Sequence, residues 1–110
     1  MQLPLEISCE EVHRLMQAKA DYLLWDCREP VEFRLASLEG AAQLPLSELQ
    51  TRINELTDHV GRRVVVMCHH GVRSLQAAAW LREQGFAQAQ SMAGGIDAWA
   101  IQIDSTVDRY

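Results

Sequence analysis

The chain has 110 residues, 48% of them hydrophobic and 23% charged, with a net charge of −5 at pH 7. These proportions exclude a disordered or fibrous chain and suit one globular domain over residues 1–110, long enough to bury a core without staples. The acidic balance argues against nucleic acid as a partner, and no apolar run approaches the length that crosses a bilayer. Cys9, Cys27 and Cys68 are odd in number and lack a paired spacing. They read as free thiols in a reducing compartment, the cytoplasm. The opening stretch, Met1 to Glu11, has neither the basic flank nor the apolar run of a signal peptide.

Taken in chain order, Ser8 and Glu11 have capping-box spacing, and Val12, Leu15 and Met16 follow at helical intervals. A first helix is therefore expected, ending near residues 18–20. Residues 22–26 form an apolar run without alternation, as in a strand buried on both faces. Pro30 can open a short helix carrying Val31, Phe33 and Leu35. After a turn at Gly40, residues 41–45 suggest another short strand. Ser47 and Gln50 read as a second capping box, opening a helix with Leu49, Ile53 and Leu56 on one face.

Residues 63–68, rich in β-branched side chains, make the strongest strand. A polar loop over 69–73 precedes an alanine-rich helix from Ser74 to about Gln84, with Gly85 placed to end it. Residues 87–92 are a weaker strand candidate, and Gly94-Gly95 precedes a short helix around 96–99. Strands alternating with helices imply an α/β fold, a mostly parallel sheet with helices on both faces. In such sheets, sites form beyond the carboxyl ends of the strands. Cys68 stands at one of these ends.

The segment Cys68-His69-His70-Gly71-Val72-Arg73-Ser74 joins the best strand to the best helix. A connection this short must curl around its centre and turn backbone N–H groups inward, with Gly71 relieving the steric cost of a positive φ. The following helix adds unpaired N–H groups and the positive end of its dipole. The expected result is an anion cradle with the Cys68 sulfur at its base, assisted by Arg73. Such a site lowers a thiol pKa and also holds a persulfide, R–S–S⁻. His69 and His70 are expected on the rim. Adjacent residues rarely converge on one ion and no second Cys/His cluster completes a tetrahedron, so neither a metal nor another cofactor is expected. Cysteine-dependent phosphatases place five residues between nucleophile and arginine. Here there are four, from His69 to Val72, which suits one sulfur atom better than phosphate.

The cysteine loop resembles that of the rhodanese homology domain, and three further segments extend the resemblance over essentially the whole chain. Residues 24–33, Leu-Trp-Asp-Cys-Arg-Glu-Pro-Val-Glu-Phe, are similar to the family's strand-to-helix segment, in which an aspartate, an arginine and a glutamate recur. Residues 38–41 and 44–46 are similar to its next turn and strand, and residues 92–99, Met-Ala-Gly-Gly-Ile-Asp-Ala-Trp, to its glycine–tryptophan signature. The resemblance implies a rhodanese-like fold with a central five-stranded sheet. It also implies a sulfurtransferase in which Cys68 takes sulfane sulfur from thiosulfate or a persulfide and passes it to cyanide, a thiol or a protein acceptor. Residues 69–74 would bind the anion, and Asp26 and Arg28 would brace the site. The alternative it leaves open is a persulfide carrier or protein-binding module without turnover. Where the family often has a glycine–histidine pair before the turn, this chain has Ala36-Ser37, and Cys27 stands where an apolar residue is usual.

Overall fold

The computed structural model describes residues 2–110. Five strands, β1 (Glu6–Ile7), β2 (Tyr22–Asp26), β3 (Ala42–Gln43), β4 (Arg63–Met67) and β5 (Ala89–Met92), form one sheet in the order β1-β5-β4-β2-β3. Every neighbouring pair is parallel. Among the described residues, six α-helices accompany the sheet: α1 (Cys9–Gln17), α2 (Pro30–Leu35), α3 (Leu49–Arg52), α4 (Asn54–Thr57), α5 (Val72–Glu83) and α6 (Gly95–Gln102). The α/β fold with a central five-stranded sheet expected from the sequence is therefore present, and the sheet is all-parallel. Among the described residues, no helix is long and apolar enough to cross a membrane.

The centre of the sheet explains why β4 reads as an unbroken apolar run. Val64 and Val66 face one core with Trp25 of β2, Leu56 of α4 and Ala77, Ala78 and Leu81 of α5. Val65 and Met67 face the other, with Val12 of α1 and Ile96 and Trp99 of α6. Side chains alternate along a strand, so a strand covered on both faces needs apolar residues at every position.

Local signals decide where the elements stop. Glu11 N–H donates to Ser8 Oγ at 3.1 Å, so the expected cap of α1 forms. Pro30 is the first residue of α2, and Glu29 N–H donates to Glu32 Oε1 at 3.2 Å. At the end of α5, Gly85 takes φ +99°. Phe86 N–H reaches Leu81 O at 3.0 Å, and Gly85 N–H reaches Arg82 O at 3.2 Å. This Schellman closure brings Phe86 and Leu81 into the same core.

Three expectations are corrected. Ser47 does not cap a helix: it lies inside a 3₁₀ turn, Leu46–Glu48, and its Oγ donates to Glu29 Oε1 at 2.6 Å. The helix expected there is broken into α3 and α4. Helix α5 starts two residues before Ser74, because Gly71 itself supplies the turn into it. Strand β5 begins at Ala89 because residues 86 and 87 belong to the turn after α5. Strand β1, only two residues long, is too short to show any periodicity in the sequence.

Leu81 is fully buried at the junction of helix and closure. Leu81→Ala is expected to lower unfolding stability by about 2–5 kcal/mol. Urea unfolding would register this as a lower midpoint with an unchanged slope.

Candidate active site

Strand β4 ends at Met67, so Cys68 is the first residue past the carboxyl edge of the sheet and is 1% exposed. The chain then turns through Gly71, at φ +97°, directly into α5. This tight turn aims donors at the sulfur: Gly71 N–H lies 3.1 Å from Sγ and Ser74 N–H 3.3 Å. Ser74 Oγ is also 3.3 Å away and donates to the sulfur when it is ionised. Ser74 is held in turn by Ser91 of β5, Oγ to Oγ 2.7 Å. Gly71 and Ser74, at the positive end of an α-helix, thus direct their N–H groups at the sulfur.

The Cys68 thiol is held low, at about 4. Its largest cause is a hydrogen bond from the Cys27 thiol, followed against it by burial, then by the Ser74 hydroxyl and the Ser74 and Gly71 N–H groups. Cys27 is correspondingly pushed up, first by that hydrogen bond and then by burial. From the sequence, Cys27 reads as a small buried hydrophobe beside the active strand, with resolution of a Cys68 persulfide as the rival reading. Its position one residue beyond a strand aligned with β4 was the available signal.

The loop keeps its shape because α6 grips it from behind. Ile96 N–H donates to Cys68 O at 2.8 Å and Asp97 N–H to His69 O at 3.1 Å. With these carbonyls turned toward α6, the loop's N–H groups are free to face the sulfur. The grip requires Gly95: a Cβ there would run into the carbonyl oxygens of Cys68 and His69. Gly71 is similarly constrained, since its Cβ would lie 3.0 Å from Gly94 N.

Arg73 does not stand free over the sulfur. Its Nη1 and Nη2 fork onto Glu32 Oε1 and Oε2 of α2 at 2.6 and 2.8 Å. Glu32 also accepts from Tyr110 Oη at 2.8 Å. The Arg73 fork is the main reason its carboxyl is held at about 2, burial opposing. Tyr110 Oη accepts from Arg28 Nη1 at 2.7 Å. Arg28 is fully buried and paired with Asp26 by two bonds of 2.9 and 2.8 Å. Its remaining donors reach Glu32 O at 3.3 Å and Ala36 O at 2.7 Å. Asp26 and Arg28 therefore brace α2 and the C-terminal tail, and reach the cysteine loop through Glu32 with Arg73 and through Tyr110, which stacks on His69. Glu32 and Tyr110 were missed as site residues. Glu32 had a signal, since it stands at the third position of a helix opened by Pro30, but nothing in the sequence ties Tyr110 to the loop.

Val72 points outward and is 67% exposed. His69 is sandwiched between His70 and Tyr110, ring centroids 3.8 Å apart on each side. Its buried Nε2 has no hydrogen-bond partner. One ring nitrogen from each of His69 and His70 and a carboxylate oxygen of Asp97 lie within 4.8 Å of one another. Asp97 is already ion-paired with Arg109 at 2.8 Å, and the two histidine rings stack rather than converge.

The family model of the rhodanese-like domain matches residues 8–102. The chain belongs to this family. It is 37% identical over 95 residues to a sulfurtransferase of Allochromatium vinosum, covering 86% of this chain and 87% of that one. It is 32% identical over 124 residues to the adenylyltransferase and sulfurtransferase MOCS3 of Arabidopsis thaliana, covering 98% of this chain but 27% of that protein. The chain thus spans only about a quarter of that longer relative. Among solved structures, a rhodanese-related protein of Thermoplasma volcanium superposes with a TM-score of 0.78 at 27% identity, covering 91% and 94% of the two chains.

Two measurements follow from the charges. Alkylation of Cys68 by iodoacetamide is expected to hold its rate from neutral to mildly acidic pH and to fall only as pH approaches about 4. Ser74→Ala, which removes one donor to the sulfur, should shift that fall to higher pH. For Glu32 the folded carboxyl is depressed, so its contribution to stability is complete above the unfolded value of 4.5 and is lost as pH falls toward about 2. Melting curves of Glu32→Gln across that window should show a shallower acid limb than those of the unaltered protein.

Proposed function

We propose that the chain is a sulfurtransferase that moves sulfane sulfur through a persulfide on Cys68. The observation that carries this reading is the convergence of Gly71 N–H, Ser74 N–H and Ser74 Oγ on one buried sulfur whose thiol pKa is held low. In the first step the Cys68 thiolate attacks the outer sulfur of thiosulfate. A new S–S bond forms, the S–S bond of the donor breaks, and sulfite leaves with the bonding pair. The product, Cys68–S–S⁻, keeps its negative charge near the same donors. In the second step an acceptor such as cyanide attacks the outer sulfur, thiocyanate leaves and the Cys68 thiolate returns. Within the loop from His69 to Ser74, the N–H groups of Gly71 and Ser74 and the Ser74 hydroxyl hold the anion. Arg73 shapes the mouth of the site through Glu32 and adds a long-range positive field. The free thiols fit a reducing compartment such as the cytoplasm.

A second reading, a carrier that takes persulfide from one protein and gives it to another, is favoured by the longer relatives. At 1% exposure, Cys68 suits a small donor or a persulfide on a flexible arm better than a broad docking surface. MOCS3 joins an adenylyltransferase and a sulfurtransferase in one chain, which suggests a protein acceptor close at hand.

Intact-protein mass spectrometry after brief thiosulfate treatment is expected to show one added sulfur atom, removed by cyanide with release of thiocyanate and absent in Cys68→Ser. Retained sulfur in a folded Cys68→Ser protein would overturn the persulfide reading. Fast loading by thiosulfate favours the enzyme, and slow loading with rapid transfer from a protein persulfide favours the carrier. Hydrolysis of an aryl phosphate, lost in Cys68→Ser, would return the site to phosphatase chemistry.

A further inference from the structure

Cys27 and Cys68 stand level on neighbouring strands. Strands β2 and β4 are parallel with Asp26 opposite Met67, so the next residue on each is a cysteine. The ladder continues past the strand ends, Cys27 N–H donating to Met67 O at 3.1 Å. Both side chains turn to the same face of the sheet, in one apolar cluster with Trp25 and Val66. Adjacent strands lie about 4.8 Å apart, inside the roughly 4.4–6.8 Å Cα separation that a disulfide spans. Cys27 is 0% exposed, so thiols from solvent are shut out while Cys68 is within reach. Cys9 lies in the opposite core, its Sγ 3.6 and 3.8 Å from the carbonyl oxygens of Ala93 and Gly95.

From this geometry we infer that Cys27 is a resolving thiol: when sulfur-loaded Cys68 finds no acceptor, Cys27 discharges the outer sulfur as hydrosulfide and closes a Cys27–Cys68 disulfide. The inference rests on the persulfide reading above. Cys27 Sγ gives up its proton and attacks Cys68 Sγ. A bond forms between the two cysteine sulfurs, and the bond from Cys68 Sγ to the outer sulfur breaks. The outer sulfur leaves with the electron pair and takes up the proton lost by Cys27. Each cysteine sulfur is oxidised by one electron, and the sulfane sulfur is reduced by two. A reducing thiol then restores the pair.

The resting charges set the order of events. While Cys68 is a thiolate, its repulsion and its hydrogen bond keep the proton on Cys27. Loading moves the negative charge outward to the terminal sulfur, which lifts part of that repulsion and turns Cys68 Sγ into an electrophile. Cys27 remains a slow nucleophile because little of it is ionised, so an acceptor that arrives in time collects the sulfur first. Adjacency compensates for slowness through a high effective concentration.

The test compares the unaltered protein with Cys27→Ser, Cys27→Val and Cys9→Ser. Each is treated with thiosulfate or inorganic tetrasulfide, desalted and followed by intact mass spectrometry with thiols blocked, while released sulfide is measured. The unaltered protein and Cys9→Ser should gain one sulfur, then pass to a species two hydrogens lighter than the reduced chain, with Cys27 linked to Cys68 in the peptide map. Both Cys27 variants should keep the added sulfur on the order of ten-fold longer and release no sulfide of their own. Agreement between Ser and Val, one polar and one apolar, separates loss of the thiol from a packing defect. Equal persistence of the persulfide in all four proteins would overturn the resolving role alone. Failure of all four to take up sulfur would remove the persulfide reading and this one with it.

Discussion

The cysteine loop depends on where its carbonyl groups go. A short turn between strand and helix can point its amides inward only if its carbonyls find partners outside, and here Ile96 and Asp97 at the start of α6 supply them for Cys68 and His69. Two helices thus work on one loop. Helix α5 presents its N–H groups to the sulfur, while α6 spends two of its own on the loop's outer side. The residue that permits this approach is Gly95, where any side chain would collide with the two carbonyls being held. A glycine pair remote in sequence from Cys68 is thereby part of the same construction.

A second layer organises charge around this centre. Asp26 and Arg28 form a pair with no exposure to solvent, where an unpaired charge of either sign would be costly. The donors of Arg28 that Asp26 does not use reach backbone carbonyls and Tyr110, so the pair is fully satisfied and ties β2, α2 and the tail together. Glu32 stands where this network meets the loop, accepting from Tyr110 on one side and Arg73 on the other. Arg73 is held in a fixed place by that bond, which gives the mouth of the site a defined shape while most of the stabilisation of the sulfur comes from closer, neutral donors.

The fold was legible in the sequence where burial on two faces leaves a continuous apolar run, as in residues 63–68, and where capping residues mark boundaries, as at Ser8, Pro30 and Gly85. It was not legible at Glu6–Ile7, where two residues pair at a sheet edge without any pattern of their own. Ser47 misled because its spacing to Gln50 imitates a capping box, while its hydroxyl is taken by Glu29 from a different element. The same limit applies to the site. Residues 68–74 are contiguous and could be read together. Cys27, Glu32, Ser91 and Tyr110 reach the loop only through tertiary contacts, and only strand register reveals that Cys27 lies beside Cys68.

The two strands at the borders of the sheet, β1 and β3, are each two residues long. An outer strand is a row of unpaired amides and carbonyls on which a foreign chain could add itself. By reducing both borders to a few groups while the well-paired β2 and β4 lie inside, this sheet leaves scarcely any template for such growth. The protein can therefore carry a strongly apolar, β-branched centre and still present neighbouring copies with little to join.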